Sequence, residues 1–140
     1  ESNVRTAFLC AKAVSAPMRE ARSGRIVNVS SSTAAFGMAD FLHYVTAKAG
    51  IVGMTRSMAR ELGPYGVAVN AVAPGLVRTE RGVADLGADY FERVAAGQCL
   101  REPIEIDDVC EAVKFLASGS ARMITGQTLL VNGGASMGPF

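Results

Sequence analysis

Between Asn3 and about Arg22 the apolar positions fall at Val4, Ala7, Phe8, Ala11, Val14 and Met18, a spacing that gathers them on one stripe of a helix. Pro17 is expected to disturb its last turns, and Ser23-Gly24 ends it. The run from Arg25 to Ser30 is β-branched and of strand length, with Ile26 to Val29 at its centre. Ser31 to Gly37 reads as a connection, and a second helix is predicted from about Asp40 to Leu62, with Gly63 at the C′ position and Pro64 beyond it. Val67 to Val72 reads as a mostly apolar strand closed by Pro74-Gly75. The weakly patterned stretch from Leu76 to Pro103 predicts one short helix around Tyr90 to Ala96. Another starts near Ile106, turns Val109, Val113 and Leu116 inward, and ends near Ser118-Gly119. Thr128 to Asn132 is the last strand, stopped by Gly133-Gly134.

Strands separated by helical crossovers pair in parallel and carry helices on both faces, so the pattern predicts an α/β domain with three strands and flanking helices. A length of 140 residues suits one domain, and neither a repeat nor a linker interrupts it. The pattern opens on a helix, which leaves the first strand without an earlier strand on one side. A three-stranded parallel sheet with an uncovered apolar edge is a poor free-standing object, and an absent N-terminal half is expected.

Composition narrows the function classes. Fourteen Lys and Arg against 13 Asp and Glu give a net charge of +1, too little to hold nucleic acid or an anionic membrane by charge. With 49% hydrophobic and 19% charged residues, the chain has enough apolar surface to fold. No apolar run is long enough to span a membrane, and Glu1-Ser2-Asn3 has no signal character, so a cytoplasmic location is expected. Cys10, Cys99 and Cys110 form neither a C-x-x-C motif nor a disulfide framework; Cys99 and Cys110 read as small buried hydrophobes. His43 is the single histidine, so no metal site of ordinary zinc type is expected.

The chemistry concentrates on the second helix. Tyr44 and Lys48, at i and i+4, share one helix face. A phenol ordinarily ionises near pH 10 and is a poor base at neutrality; a cation one turn away favours the phenolate. Ser31 follows the first strand, 13 residues before Tyr44, at the carboxyl edge where open α/β sheets bind ligands. Its hydroxyl suits donation to an oxygen that gains negative charge. By itself Y-x-x-x-K is common on helices, and its plain reading is a core-edge tyrosine beside a solvated lysine. Ser30 and Ser32 are alternative serines, each readable as a turn hydroxyl bonding local backbone. His43 reads as a partly exposed or cleft-edge residue.

Further segments stand in order along the chain: G-R-I-V-N-V-S-S-S from Gly24 to Ser32, Y-V-T-A-K from Tyr44 to Lys48, and A-G-I-V-G-M-T-R-S-M-A-R-E-L-G from Ala49 to Gly63. They continue with V-N-A-V-A-P-G-L-V-R-T from Val69 to Thr79, F-L-A-S from Phe115 to Ser118, and I-T-G-Q-T-L-L-V-N-G-G from Ile124 to Gly134. In these the sequence resembles the short-chain dehydrogenase/reductase family over nearly its whole length. The resemblance implies a Rossmann-like, doubly wound parallel sheet. Residues 1–140 would supply the carboxyl-terminal catalytic part of one such domain, whose activity interconverts an alcohol and a carbonyl with NAD or NADP. It implies Tyr44 as catalytic acid/base and Lys48 as the residue that tunes it and holds the nicotinamide ribose. It gives Ser31 the orientation of substrate and Asn3, 28 residues earlier, a water-mediated proton relay; Asn3 also reads as a helix N-cap. Pro74-Gly75 would lie against the nicotinamide ring, with the Val77 backbone and Thr79 side chain on its carboxamide. Outside this context Pro74-Gly75 is only a turn. The implied partners are a small-molecule alcohol or carbonyl and further copies of the chain, as homotetramer or homodimer. The Ala and Gly face of the second helix (Ala47, Gly50, Gly53) reads as core or interface, and the resemblance favours interface.

Two family segments have no counterpart: the T-G-x-x-x-G-x-G phosphate turn and the N-N-A-G segment. With them go the adenine and pyrophosphate site and the choice between NAD and NADP. Residues 80–105 correspond to the family's substrate lid and resemble no consensus, so the substrate is unreadable. The alternative reading is a non-catalytic fragment or pseudoenzyme that acts through oligomerisation surfaces.

Overall fold

The computed structural model describes residues 2–137. Helix α1 (Ser2–Ala21) leads into strand β1 (Gly24–Val29), followed by α2 (Thr33–Phe36), α3 (Leu42–Leu62) and β2 (Val67–Pro74). Helices α4 (Glu80–Leu86), α5 (Ala88–Ala95) and α6 (Ile106–Ala117) precede β3 (Thr128–Val131). The strands form one parallel sheet in the order β1-β2-β3, with Val29 opposite Val72 and Val72 opposite Leu129. This is the α/β, Rossmann-like arrangement that the pattern and the resemblance predict.

Successive strand residues point to opposite faces, and each face has its own core. Val67, Val69 and Ile26 pack with Ala59, Leu62 and Met18 under α1 and α3. Val72 and Val27 pack with Leu116, Val109, Val113 and Ala121 under α6. Covered on both faces and paired on both edges, β2 is buried from Val67 through Ala73, so its sequence reads as an apolar run rather than an alternation.

Several expectations are corrected. Pro17 does not break α1, which continues to Ala21; the carbonyl left without its donor belongs to Ala13, an exposed residue that water can serve. The α1 stripe is only partly covered, since Phe8 is 55% exposed and Val14 also faces solvent. Asn3 lies inside the first turn of α1 rather than at its cap. Asp40 has φ +65°, outside the right-handed helical region, and α3 starts two residues later. Gly63 keeps helical angles and opens a 3-10 turn to Tyr65; the left-handed stop is Gly66, where a Cβ would lie 2.6 Å from the Arg22 carbonyl oxygen. Cys99 and Cys110 are exposed, as is Cys10, and are not core residues. Among the described residues no helix is long and apolar enough to cross a membrane.

Candidate active site

The site forms where β1 and β2 run out. The Ser30 N–H donates to the Val72 carbonyl at 2.8 Å and the Ser32 N–H to the Pro74 carbonyl at 2.9 Å, so the two strand ends stay joined as they leave the sheet. Helix α3 is fastened across the same place. The buried Ser30 hydroxyl donates to the Lys48 carbonyl at 2.8 Å, and Asn28 Nδ2 donates to Thr55 Oγ1 at 2.9 Å. Ser30 therefore bonds a residue 18 positions away, not the local backbone expected of it.

These ties bring Tyr44 and Lys48 to the end of β1. Lys48 is only 8% exposed; its Nζ donates to the Val29 carbonyl at 3.0 Å and sits 5.6 Å from the centroid of the Tyr44 ring. Burial lowers the Lys48 ammonium below its ordinary pKa of 10.5, because the charged form loses water that one carbonyl replaces incompletely. The plain reading, with Lys48 solvated, is excluded. Tyr44 is half-buried, and Phe41 meets its ring edge-on at 6.3 Å. Among the described residues the Tyr44 phenol makes no hydrogen bond to the protein. His43 is exposed, as expected.

Ser31 lies two residues beyond Val29 and is buried. Its Oγ accepts the Thr33 N–H at 3.3 Å and the Thr33 hydroxyl at 2.9 Å. Asn3 reaches the same region from α1: with Val29 and Lys48 it lines one end of a groove of about 690 Å³ that runs along the open side of β1 to Arg25. Most of that groove is the uncovered flank of the sheet; only its Lys48 end belongs to the site.

The loop after β2 supplies the other wall. Gly75 N–H donates to the Val131 carbonyl at 2.9 Å, and a Cβ on Gly75 would lie 2.8 Å from Ile104 Cδ1 and 3.2 Å from Asn132 Cα, so this turn is packed directly on the end of β3. Val77 bridges to Ile104 through the Arg78 N–H, and among the described residues the Val77 N–H has no acceptor. Thr79 caps α4 by accepting the Gly82 N–H at 3.0 Å, which leaves its own hydroxyl hydrogen to donate. Arg78 pairs with Glu92 of α5 and with Glu105 at the start of α6, anchoring the loop to both helices.

The enoyl-(acyl carrier protein) reductase family matches residues 1–136. The chain belongs to the short-chain dehydrogenase/reductase family. Among relatives within it, 3-oxoacyl-(acyl-carrier-protein) reductase FabG of Vibrio cholerae serotype O1 is 44% identical over 140 residues, covering 98% of this chain and 56% of that protein. A 3-oxoacyl-(acyl-carrier protein) reductase from Brucella melitensis, solved with bound NAD, superposes with a TM-score of 0.85 at 32% identity, covering 97% of this chain and 50% of that one. ElxO, solved with NADP bound, superposes at a TM-score of 0.87 and 30% identity, with coverages of 95% and 54%. The chain spans about half the length of the curated family members it matches.

At this candidate site the sequence reading passes over Thr33, and it takes Ser30 only for an alternative serine or a turn hydroxyl. The S-S-S-T run offers four adjacent hydroxyls, and only the folded backbone shows which of them meet Lys48 and Ser31.

Proposed function

We propose that this chain is the carboxyl-terminal, catalytic part of one NAD(P)-binding domain in an oxidoreductase that interconverts a carbonyl and an alcohol. The observation that carries this reading is Lys48: a buried ammonium beside the Tyr44 ring, bonded to the strand end that carries Ser31. A merely structural lysine has no reason to be desolvated next to an unpartnered phenol.

The residues at the carboxyl edge suit a nicotinamide cofactor. Val77 N–H and Thr79 O–H are two donors fit for its carboxamide, Pro74 and Gly75 form the wall beside its ring, and Lys48 can turn from the Val29 carbonyl to its ribose hydroxyls. When bound, the cofactor supplies hydride transfer to or from the substrate carbon. Tyr44 moves the proton. In reduction its O–H bond breaks as the substrate oxygen takes the proton, and the resulting phenolate is stabilised by the Lys48 ammonium; in oxidation the phenolate takes the alcohol proton back. Ser31 donates to the substrate oxygen, and Asn3, at the Lys48 end of the groove, supports proton return to Lys48 through water. Phe8 and Leu9, about half exposed on α1, and the open surface at Gly53 on α3 suit contact with further copies of the chain, as a homotetramer or homodimer.

Calorimetric titration with NADH and NADPH tests the proposal. The chain alone is expected to bind neither, while the chain joined to an upstream cofactor-binding half binds one of them and reduces a carbonyl. In that complete enzyme Tyr44→Phe is expected to lower turnover at least 100-fold with cofactor affinity held within about twofold, and Lys48→Ala to damage both. A Tyr44→Phe enzyme with near-normal turnover would mean another group moves the proton, and cofactor-free oligomers with no activity in any form would favour the non-catalytic reading.

A further inference from the structure

A serine hydroxyl has one hydrogen to donate and two lone pairs to accept with. At Ser31 both acceptor positions are taken from one residue: the Thr33 N–H approaches Oγ at 3.3 Å and the Thr33 hydroxyl at 2.9 Å. Thr33 can do this because it is the first residue of α2, whose tight start after Ser32 turns its amide and side chain back toward Ser31. The Ser31 hydrogen is then the only hydrogen-bonding capacity left on that side chain, and the residue itself is buried, so bulk water competes little for it.

We propose that Thr33 is a positioning residue that makes Ser31 a donor only, so that the site receives the substrate oxygen as a hydrogen-bond acceptor. This rests on the functional reading above and deepens it. An acceptor-only oxygen is a ketone or aldehyde carbonyl before reduction and an alkoxide as hydride arrives; it is not an alcohol presenting its own hydrogen to Ser31. Two donors pointed at Oγ also polarise the Ser31 O–H bond, and that strengthens its donation as negative charge grows on the substrate oxygen. In the oxidative direction the same arrangement forces the alcohol hydrogen toward Tyr44, because Ser31 has no lone pair to offer it.

The test uses the complete enzyme carrying Thr33→Val, which keeps the side-chain shape and the backbone N–H but removes the hydroxyl, with Thr33→Ser as the rescue and Ser31→Ala as the reference. Thr33→Val is expected to lower kcat for carbonyl reduction about fivefold, the size of one neutral hydrogen bond, with NAD(P)H affinity and melting temperature unchanged. Thr33→Ser should stay within about twofold of the parent. Ser31→Ala should lose at least tenfold, and adding Thr33→Val to it should change nothing further, because Thr33 acts through Ser31. The proposal is overturned if Thr33→Val matches the parent, if Thr33→Ser is as slow as Thr33→Val, or if Thr33→Val slows the Ser31→Ala enzyme as much as it slows the parent. A Ser31→Ala enzyme that keeps the parental rate would instead remove the catalytic reading on which the proposal rests.

Discussion

Lys48 is a cation held where water scarcely reaches it, and among the described residues a single carbonyl, that of Val29, accepts from its ammonium. Its lowered pKa has a consequence for stability whose sign comes from proton counting. Between its folded-state value and the ordinary 10.5, the unfolded chain keeps the proton that the folded chain has already released. The unfolded state then binds more protons, so the contribution of Lys48 to stability is least below this window and rises as pH climbs through it. Lys48→Met removes that dependence. In urea unfolding from pH 7 to 10.5 of the chain joined to the proposed upstream half, the stability of the variant relative to the parent should be most favourable at the low end and decline toward the high end. A difference that stays flat across the range would show that burial exerts no strain on this ammonium. The spacing of Tyr44 and Lys48 in the sequence already places them on one helix face. It does not show that the lysine is buried, because that depends on the Ser30 and Asn28 bonds that draw α3 against β1.

Among the elements, β2 shows how one buried polar side chain can set the register of a later strand. Asn70 is 1% exposed in a strand that otherwise reads as Val and Ala. Its Nδ2 donates to the Ile124 carbonyl at 2.8 Å and its Oδ1 accepts the Gln127 N–H at 3.0 Å, fixing the segment that delivers β3 into place. Asn70→Ala leaves both backbone groups without partners and should destabilise the fold by roughly 2–4 kcal/mol in denaturant titration. Thr128 supplies the contrast. Its Oγ1 is buried without a partner at the start of β3, so Thr128→Val exchanges an unsatisfied hydroxyl for a methyl of the same shape and should be neutral or stabilising. Equal losses from the two substitutions would mean that packing, not hydrogen bonding, governs both sites. The elements legible in the sequence are those with an apolar stripe or run, whether fully covered or not: α1, α3, α5, α6 and the three strands. Helix α4 is capped by Thr79 and buries none of its residues, so it leaves no apolar stripe to read. Helix α2 has four residues and is shorter than any periodic signal. Leu42, at the first position of α3, is 80% exposed, so the start of that helix carries no burial signal either; the left-handed Asp40 decides it.

At the scale of the molecule, β1 is the element whose two edges differ most. The Ser30 and Ser32 amides are given to β2, and in a parallel ladder the intervening residues turn their amides the other way. Val27 and Val29 therefore present N–H and C=O groups to the open side, where the groove between β1 and α1 lies and where the Lys48 ammonium takes the Val29 carbonyl. On the function proposed above, sheet and site are linked: a strand that paired with this edge would compete with Lys48 for that carbonyl and free the ammonium to turn toward a ribose and the Tyr44 phenolate. If an upstream cofactor-binding half supplies the pairing strand, the protection of these two amides must change when it is present. Hydrogen exchange followed by NMR should show Val27 and Val29 exchanging rapidly in the chain alone and at least tenfold more slowly in the complete enzyme. Val69 and Val72, central in the sheet and fully buried, should be slow in both. Slow exchange at Val27 and Val29 in the chain alone, or no slowing when the proposed upstream half is joined to it, would mean that this edge does not receive a strand from such a half.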